Sequence, residues 1–265
     1  MLYNAKELKL TASGMQFDYI RFGSGKKPLI MIQGLNTRGI KGAALSLAYM
    51  YRIFAKEYTV YLFDRRPVVY DGITVRDMAS DIASAMDALG LKNADVFGTS
   101  QGGMIAQYLA IDRPDLVRKL VLAVTLSRNN DTVKQVLSGW IEMAERGDMK
   151  GFVLDMAEKM YSETYVKKYR LLMPLLTILQ KPKDVQRFVI LAKSCLTCDT
   201  YDILDKIKCS VFVIGGKQDK VVSGAASEEI AEKLGCRLHM YDNLGHAAYE
   251  EAQDFNQMVY DFLSE

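Results

Sequence analysis

No apolar run in this chain approaches the roughly 20 residues that a membrane-spanning helix needs, so no membrane span is expected. Charge of one sign is missing too: 34 Lys and Arg stand against 32 Asp and Glu, a formal charge of +2 spread along the chain. That leaves neither a basic field for nucleic acid nor an acidic tail, and a small-molecule substrate is the expected partner. Cysteine is scarce, with only Cys195, Cys198, Cys209 and Cys236, and nothing asks for an oxidising compartment. Cys195 and Cys198 form a C-x-x-C in the apolar, helical-looking run Phe188 to Leu196, but no second pair completes a zinc site. They read as small hydrophobes on a helix, and neither a metal nor a cofactor is expected. The first ten residues mix Asn4, Lys6, Glu7 and Lys9 with their apolar neighbours, which is unlike a signal peptide, so a cytoplasmic location is expected.

What is abundant is core material. Of the 265 residues 49% are hydrophobic and 25% charged, enough for one large α/β domain, with or without an insertion, and too apolar for disorder. Short apolar runs alternate with longer helical patterns, as in a mostly parallel sheet covered by helices on both faces. Leu8 to Ala12 and Met15 to Phe22 read as a hairpin turned at Ser13-Gly14. Six further strands follow at Leu29 to Ile32, Thr59 to Phe63, Ala94 to Phe97, Leu120 to Val124, Val211 to Ile214 and Leu238 to Tyr241. Thr74 and Asp77 give a capping-box start to a helix ending at Gly90, and Gln101 to Ile111 is a second helix. Between Thr125 and Ile207 the alternation breaks. Helical stripes there are interrupted by Gly147, Pro174 and Pro182, and Trp140, Met143, Phe152, Met156, Met160, Tyr161 and Met173 recur at spacings near three or four. The expectation is a core of residues 1–125 and 208–265 with an inserted helical cap, 126–207. Its helix Asp131 to Asp148 should turn Val133, Val136, Leu137, Trp140 and Ala144 inward, with Trp140 at the substrate pocket.

Gly98-Thr99-Ser100-Gln101-Gly102 follows one strand directly and opens a helix, the strand-turn-helix context of a G-x-S-x-G nucleophile elbow. Small residues two before and two after Ser100 let a strained turn push its hydroxyl above the sheet edge. A serine needs a base, and there are only two histidines. His239 sits inside the last strand pattern; His246 lies in the loop beyond it, at the edge where catalytic groups gather, and is the expected base. A carboxylate must orient the imidazole. Asp219, after the strand Val211 to Ile214, gives the order Ser, Asp, His; Asp242 is its rival, and Asp64 precedes Ser100 in the chain. For the oxyanion, the backbone N–H of Gln101 is one donor. The other is expected from the loop Gln33 to Gly39, at Leu35 ahead of Asn36, because Leu35 follows the glycine that lets the loop turn.

With these residues the chain resembles the capped, serine-nucleophile members of the α/β-hydrolase superfamily, from about Phe17 to Leu263. Gly98 to Ala106, Gly215-Gly216-Lys217-Gln218-Asp219 and Gly245-His246 match that family's elbow, acid loop and histidine, and the elbow looks most like esterases and 3-oxoadipate enol-lactonase-like proteins. Gln33-Gly34 departs from a frequent His-Gly, and Cys209-Ser210 from a frequent Cys-Pro. The resemblance implies an α/β-hydrolase fold, eight-stranded and mostly parallel. It implies a cofactor-free serine hydrolase acting on a carboxylic ester, thioester or lactone of a small, largely apolar substrate. A carbon–carbon bond hydrolase of the same fold, which would need cationic anchors such as Arg38, Arg128 or Lys217, and a non-catalytic receptor are the alternatives. A homo-oligomer stays open.

Overall fold

The computed structural model describes residues 2–169 and 182–265; Met173 of the helical pattern above, and Pro174, one of its interruptions, lie outside the described residues. β1 (Lys6–Ala12) and β2 (Met15–Phe22) form the expected hairpin, with Ala12 opposite Met15 across the two-residue turn. β3 (Lys27–Ile32), β4 (Tyr58–Phe63), β5 (Ala94–Thr99), β6 (Val117–Ala123), β7 (Ser210–Gly216) and β8 (Arg237–Tyr241) complete an eight-stranded sheet in the order β1-β2-β4-β3-β5-β6-β7-β8. β1 and β2 run antiparallel to their neighbours, and every other pair is parallel. The C-terminal ends of β3 to β8 therefore share one edge, and the loops that follow them meet there.

The helices are α1 (Ala44–Met50), α2 (Val75–Ala88), α3 (Gln101–Asp112), α4 (Asp131–Glu145), α5 (Met149–Met160), α6 (Glu163–Tyr169), α7 (Val185–Cys195), α8 (Gly224–Leu234) and, after one helical turn at Ala248–Glu251, α9 (Phe255–Ser264). Alternate side chains of the central strands enter two separate cores. Ile30, Ile32, Val96, Leu120 and Leu122 pack with α2, α3 and α8, while Leu29, Met31, Phe97, Val121 and Ala123 pack with α1 and α9 on the opposite face. That double burial is why these strands read as continuous apolar runs. Each such Leu, Ile or Phe contributes about 1.5–3 kcal/mol by leaving water. The start of α2 is a true capping box: Thr74 Oγ1 accepts from the Asp77 N–H at 3.0 Å and Asp77 Oδ2 from the Thr74 N–H at 2.9 Å.

Between β6 and β7 the described residues contain α4 to α7 and no strand, apart from an isolated bridge between Arg128 and Asp199. α4 stops at Glu145, three residues short of the expected Asp148. Gly147 takes a left-handed conformation at φ 75°, and Asp148 instead caps α5, accepting from the Gly151 N–H at 2.9 Å. Val133, Val136, Leu137, Trp140 and Ala144 form the buried stripe of α4. This insertion is fastened to the sheet edge at several places, among them the C-terminal end of α5 and the residues after it. Met160 O accepts from the Ala247 N–H at 2.8 Å, and Ser162 donates its N–H and hydroxyl to Glu251.

Candidate active site

Ser100 occupies the turn between β5 and α3 at φ 54°, ψ −121°, a region that costs a side-chain-bearing residue on the order of 1–3 kcal/mol. The surroundings leave it no alternative. A Cβ on Gly102 would lie 1.9 Å from Ile32 O, and one on Gly98 would lie 2.5 Å from Gly102 O, so the elbow closes only with glycine at both positions. Backbone bonds pin it further: the Ser100 N–H donates to Ala123 O at 2.8 Å, and Ser100 O accepts from Thr125 Oγ1 at 2.7 Å. Ser100 begins α3 without its side chain capping the helix; its hydroxyl is engaged elsewhere.

His246 Nε2 lies 2.9 Å from Ser100 Oγ, and His246 Nδ1 lies 2.8 Å from Asp219 Oδ2. Both partners of Ser100 are buried, His246 at 3% and Asp219 at 7% exposure. The other oxygen of Asp219 accepts from the Val221 and Val222 N–H groups at 2.8 and 3.0 Å. The carboxylate is thereby fixed, and its free edge meets Nδ1. An Nδ1–H donated to Asp219 leaves the Nε2 lone pair for the serine proton. The structure thus brings together Ser100, Asp219 and His246. It keeps the rivals apart: His239 stays in β8 with its ring edge-on to Tyr241, Asp242 pairs with Lys217 at the surface, and Asp64 accepts from the Ile40 and Arg65 N–H groups.

Leu35 stands in the loop after β3, on the wall of a cavity of about 570 Å³ counting its mouth, which Ser100 and His246 also line. Among the described residues the N–H groups of Leu35 and Gln101 meet no protein acceptor. Asn36 is occupied in turning the loop, its Oδ1 accepting from the Gly39 N–H at 2.8 Å. The glycine before Leu35 has a different reason from the expected one. Gly34 is not left-handed; a Cβ there would press on Ser100 Cβ at 3.2 Å. Trp140 lines the same cavity. Its ring is edge-on to Phe152 and its indole N–H donates to Asp155 Oδ2 at 2.7 Å. Met104, Val133, Leu137, Met156, Met160 and Phe188 complete an apolar wall. Among the described lining residues none is Lys, Arg, Asp or Glu. The cation candidates lie elsewhere: Arg38 is exposed, Arg128 pairs with Glu229 and Lys217 with Asp242.

One residue beside the site gave no sequence signal. Arg65, just beyond β4, is buried, and its guanidinium reaches Gln33 O at 2.5 Å and the Gln101 side-chain oxygen at 3.1 and 3.2 Å. Gln101 Nε2 in turn donates to Leu191 O at 2.8 Å and Ser194 Oγ at 3.1 Å on α7. One cation therefore joins the β3 loop, the start of α3 and the insertion. Burial lowers its pKa to about 10, still far above neutrality. Its neighbour Arg66 turns to α2 instead, in a bidentate pair with the buried Asp81 at 2.6 and 2.7 Å.

With this geometry in hand, the relatives are informative. Residues 27–149 match the family model described as the alpha/beta hydrolase fold. The crystal structure of an enol-lactonase from Burkholderia xenovorans LB400 superposes with a TM-score of 0.84 over 97% of this chain and 100% of that one, at 20% identity. A 2-hydroxy-6-oxononadienedioate/2-hydroxy-6-oxononatrienedioate hydrolase of Paraburkholderia xenovorans is 25% identical, covering 94% of this chain and 91% of that protein. The serine hydrolase BPHL of Mus musculus is 22% identical over 96% of this chain and 85% of its own length. The chain has the α/β-hydrolase fold, and the relatives it resembles along most of its length are hydrolases.

Proposed function

We propose that the protein is a serine hydrolase cleaving a carboxylic ester, thioester or lactone of a small, largely apolar substrate. Ser100 Oγ attacks the carbonyl carbon while His246 Nε2 takes its proton; Asp219 holds the ring through Nδ1–H and stabilises the imidazolium. The N–H groups of Leu35 and Gln101 receive the developing oxyanion. The acyl–oxygen or acyl–sulfur bond then breaks, His246 returns the proton to the leaving atom, and water attacks the acyl-enzyme with His246 again as base. Residues 126–207 act as a cap over the acyl group, with Trp140 in its roof. The observation that carries this reading is the unbroken chain of hydrogen bonds from Asp219 through His246 to Ser100, ending on a strained elbow.

Carbon–carbon bond cleavage is the second reading, favoured by the likeness to the dienedioate hydrolase. A diacid needs cations to anchor it, and the described walls of the cavity carry none; ester, thioester or lactone cleavage is the better fit. The two are separated by a substrate panel of p-nitrophenyl esters with short acyl chains, acyl thioesters, lactones and 2-hydroxy-6-oxodienoates. We expect turnover of the uncharged carbonyl compounds, lowered roughly 10⁴- to 10⁶-fold by Ser100→Ala. Turnover confined to the dienoates would replace the first reading with the second.

A further inference from the structure

A second cavity, about 940 Å³ counting its open mouth, adjoins the apolar one and shares with it Gly34, Leu35, Met156, Met160 and Tyr249. Thr99, the residue before Ser100, is part of its wall, so an ester straddling Ser100 extends into both spaces. Their chemistry differs. Where the first is apolar, the second presents Tyr51, Tyr161, Tyr249 and Glu250.

These four groups act on one another. The Tyr161 hydroxyl donates to Glu250 Oε2 at 2.6 Å. The hydroxyls of Tyr51, Tyr161 and Tyr249 are all raised above the usual phenol range, by burial first and by the negative charge of Glu250 in every case. Three phenols thus converge on one carboxylate. Among the described residues Glu250 has no Lys or Arg partner, and the Tyr51 hydroxyl has no hydrogen-bond partner. The adjacent Glu251 is different, since it is consumed by the Ser162 N–H and hydroxyl. A carboxylate answered only by hydroxyls, exposed at the mouth of a cavity whose aromatic ring faces are themselves electronegative, attracts an organic cation and repels an anion.

We infer that this tyrosine–glutamate cavity is the leaving-group subsite and selects an alcohol or thiol bearing an ammonium or quaternary ammonium group. The inference rests on Ser100 being the nucleophile. The acyl part occupies the apolar cavity and the cationic part the tyrosine-lined one. When the acyl–oxygen bond breaks, His246 returns to the leaving oxygen the proton it took from Ser100, and the cationic alcohol departs through the open mouth.

The experiment compares kcat/KM for two esters of the same short acyl chain, one of 2-(trimethylammonio)ethanol and one of its neutral isostere, 3,3-dimethylbutanol. The expected ratio is roughly tenfold or more in favour of the cation. Glu250→Gln brings that ratio close to one, while Glu142→Gln, which removes an exposed charge on α4, leaves it unchanged. A second readout uses the wild-type protein only: phenyltrimethylammonium should compete with the cationic ester, and its neutral analogue tert-butylbenzene should compete less. A ratio near or below one, with both esters hydrolysed, overturns the inference and leaves the hydrolase reading intact. So does a ratio that survives Glu250→Gln, or a glyceryl ester preferred over the cationic one. If these esters and p-nitrophenyl esters are all inert, the hydrolase reading fails and the inference fails with it.

Discussion

Ser100 and Cys195 face the same cavity with opposite prospects, and the difference lies in their partners. Ser100 has a base at 2.9 Å. Cys195 Sγ accepts from the Gln101 amide at 3.3 Å and donates to Leu191 O at 3.6 Å, neither of them a base, and burial pushes the thiol up to about 12 despite the opposing charge of Arg65. The reactive species is the thiolate. Because the raised pKa keeps the thiol protonated, its thiolate fraction is negligible through pH 9 and grows only as the pH approaches 12. Iodoacetamide at pH 8 is therefore expected to leave Cys195 unmodified in the folded protein, as mapped by peptide mass spectrometry. Alkylation at the rate of a free thiol would contradict that environment. The pattern read this pair as small hydrophobes on a helix; both are buried, but only Cys195 lies on α7, which ends there, and Cys198 follows in the turn beyond it. The second half of Cys195's surroundings, the contact with Gln101 and the nearby Arg65, spans more than 90 positions of chain and has no local trace.

Among the elements, the parts that local sequence could announce are those whose physics is local. The elbow needs glycines beside Ser100, the α2 cap needs Thr74 and Asp77, and β3 to β7 are apolar because both their faces are covered. β8, only partly covered, was legible as the short run Leu238 to Tyr241, and that run is what put His246 in the loop beyond it. Arg65 was not legible at all: Arg65-Arg66 is a doublet, and only distant partners, Gln33 and Gln101 for one and Asp81 for the other, decide which guanidinium sits beside the site. Its position makes a prediction about rate. Arg65 holds Gln33 O and the Gln101 side chain, the two segments that carry the proposed oxyanion donors. Arg65→Met should lower kcat by roughly ten- to a hundredfold, less than loss of an oxyanion donor itself, with KM changed by less than about threefold. Leaving those two acceptors without a donor should also cost about 1–3 kcal/mol of stability in urea unfolding. Arg65→Lys, with one compact cation, should recover part of kcat. A stability loss with unchanged kcat would reduce Arg65 to a packing role.

On the scale of the whole molecule, a parallel sheet delivers its loops to one edge and the β6–β7 insertion lies across them. That arrangement is why the order Ser100, Asp219, His246 could be read from strand ends alone, and why the walls of the two cavities could not. The walls come from α1, α4, α5 and α7, and from Tyr249 beyond the histidine, which converge only in three dimensions. Trp140, the chain's single tryptophan, reports on this convergence. Its emission is expected to shift or change in intensity in step with inactivation by a fluorophosphonate, and not in Ser100→Ala. A spectrum unchanged at full inhibition would take Trp140 away from the occupied site.

The central claim is that Ser100, activated by His246 and Asp219, is the nucleophile. Its most direct test is fluorophosphonate labelling followed by peptide mapping. The account predicts one adduct, on the peptide containing Ser100, absent from Ser100→Ala and formed at least about a thousandfold more slowly in His246→Ala. Labelling retained by Ser100→Ala, or an adduct at any other residue, would contradict it.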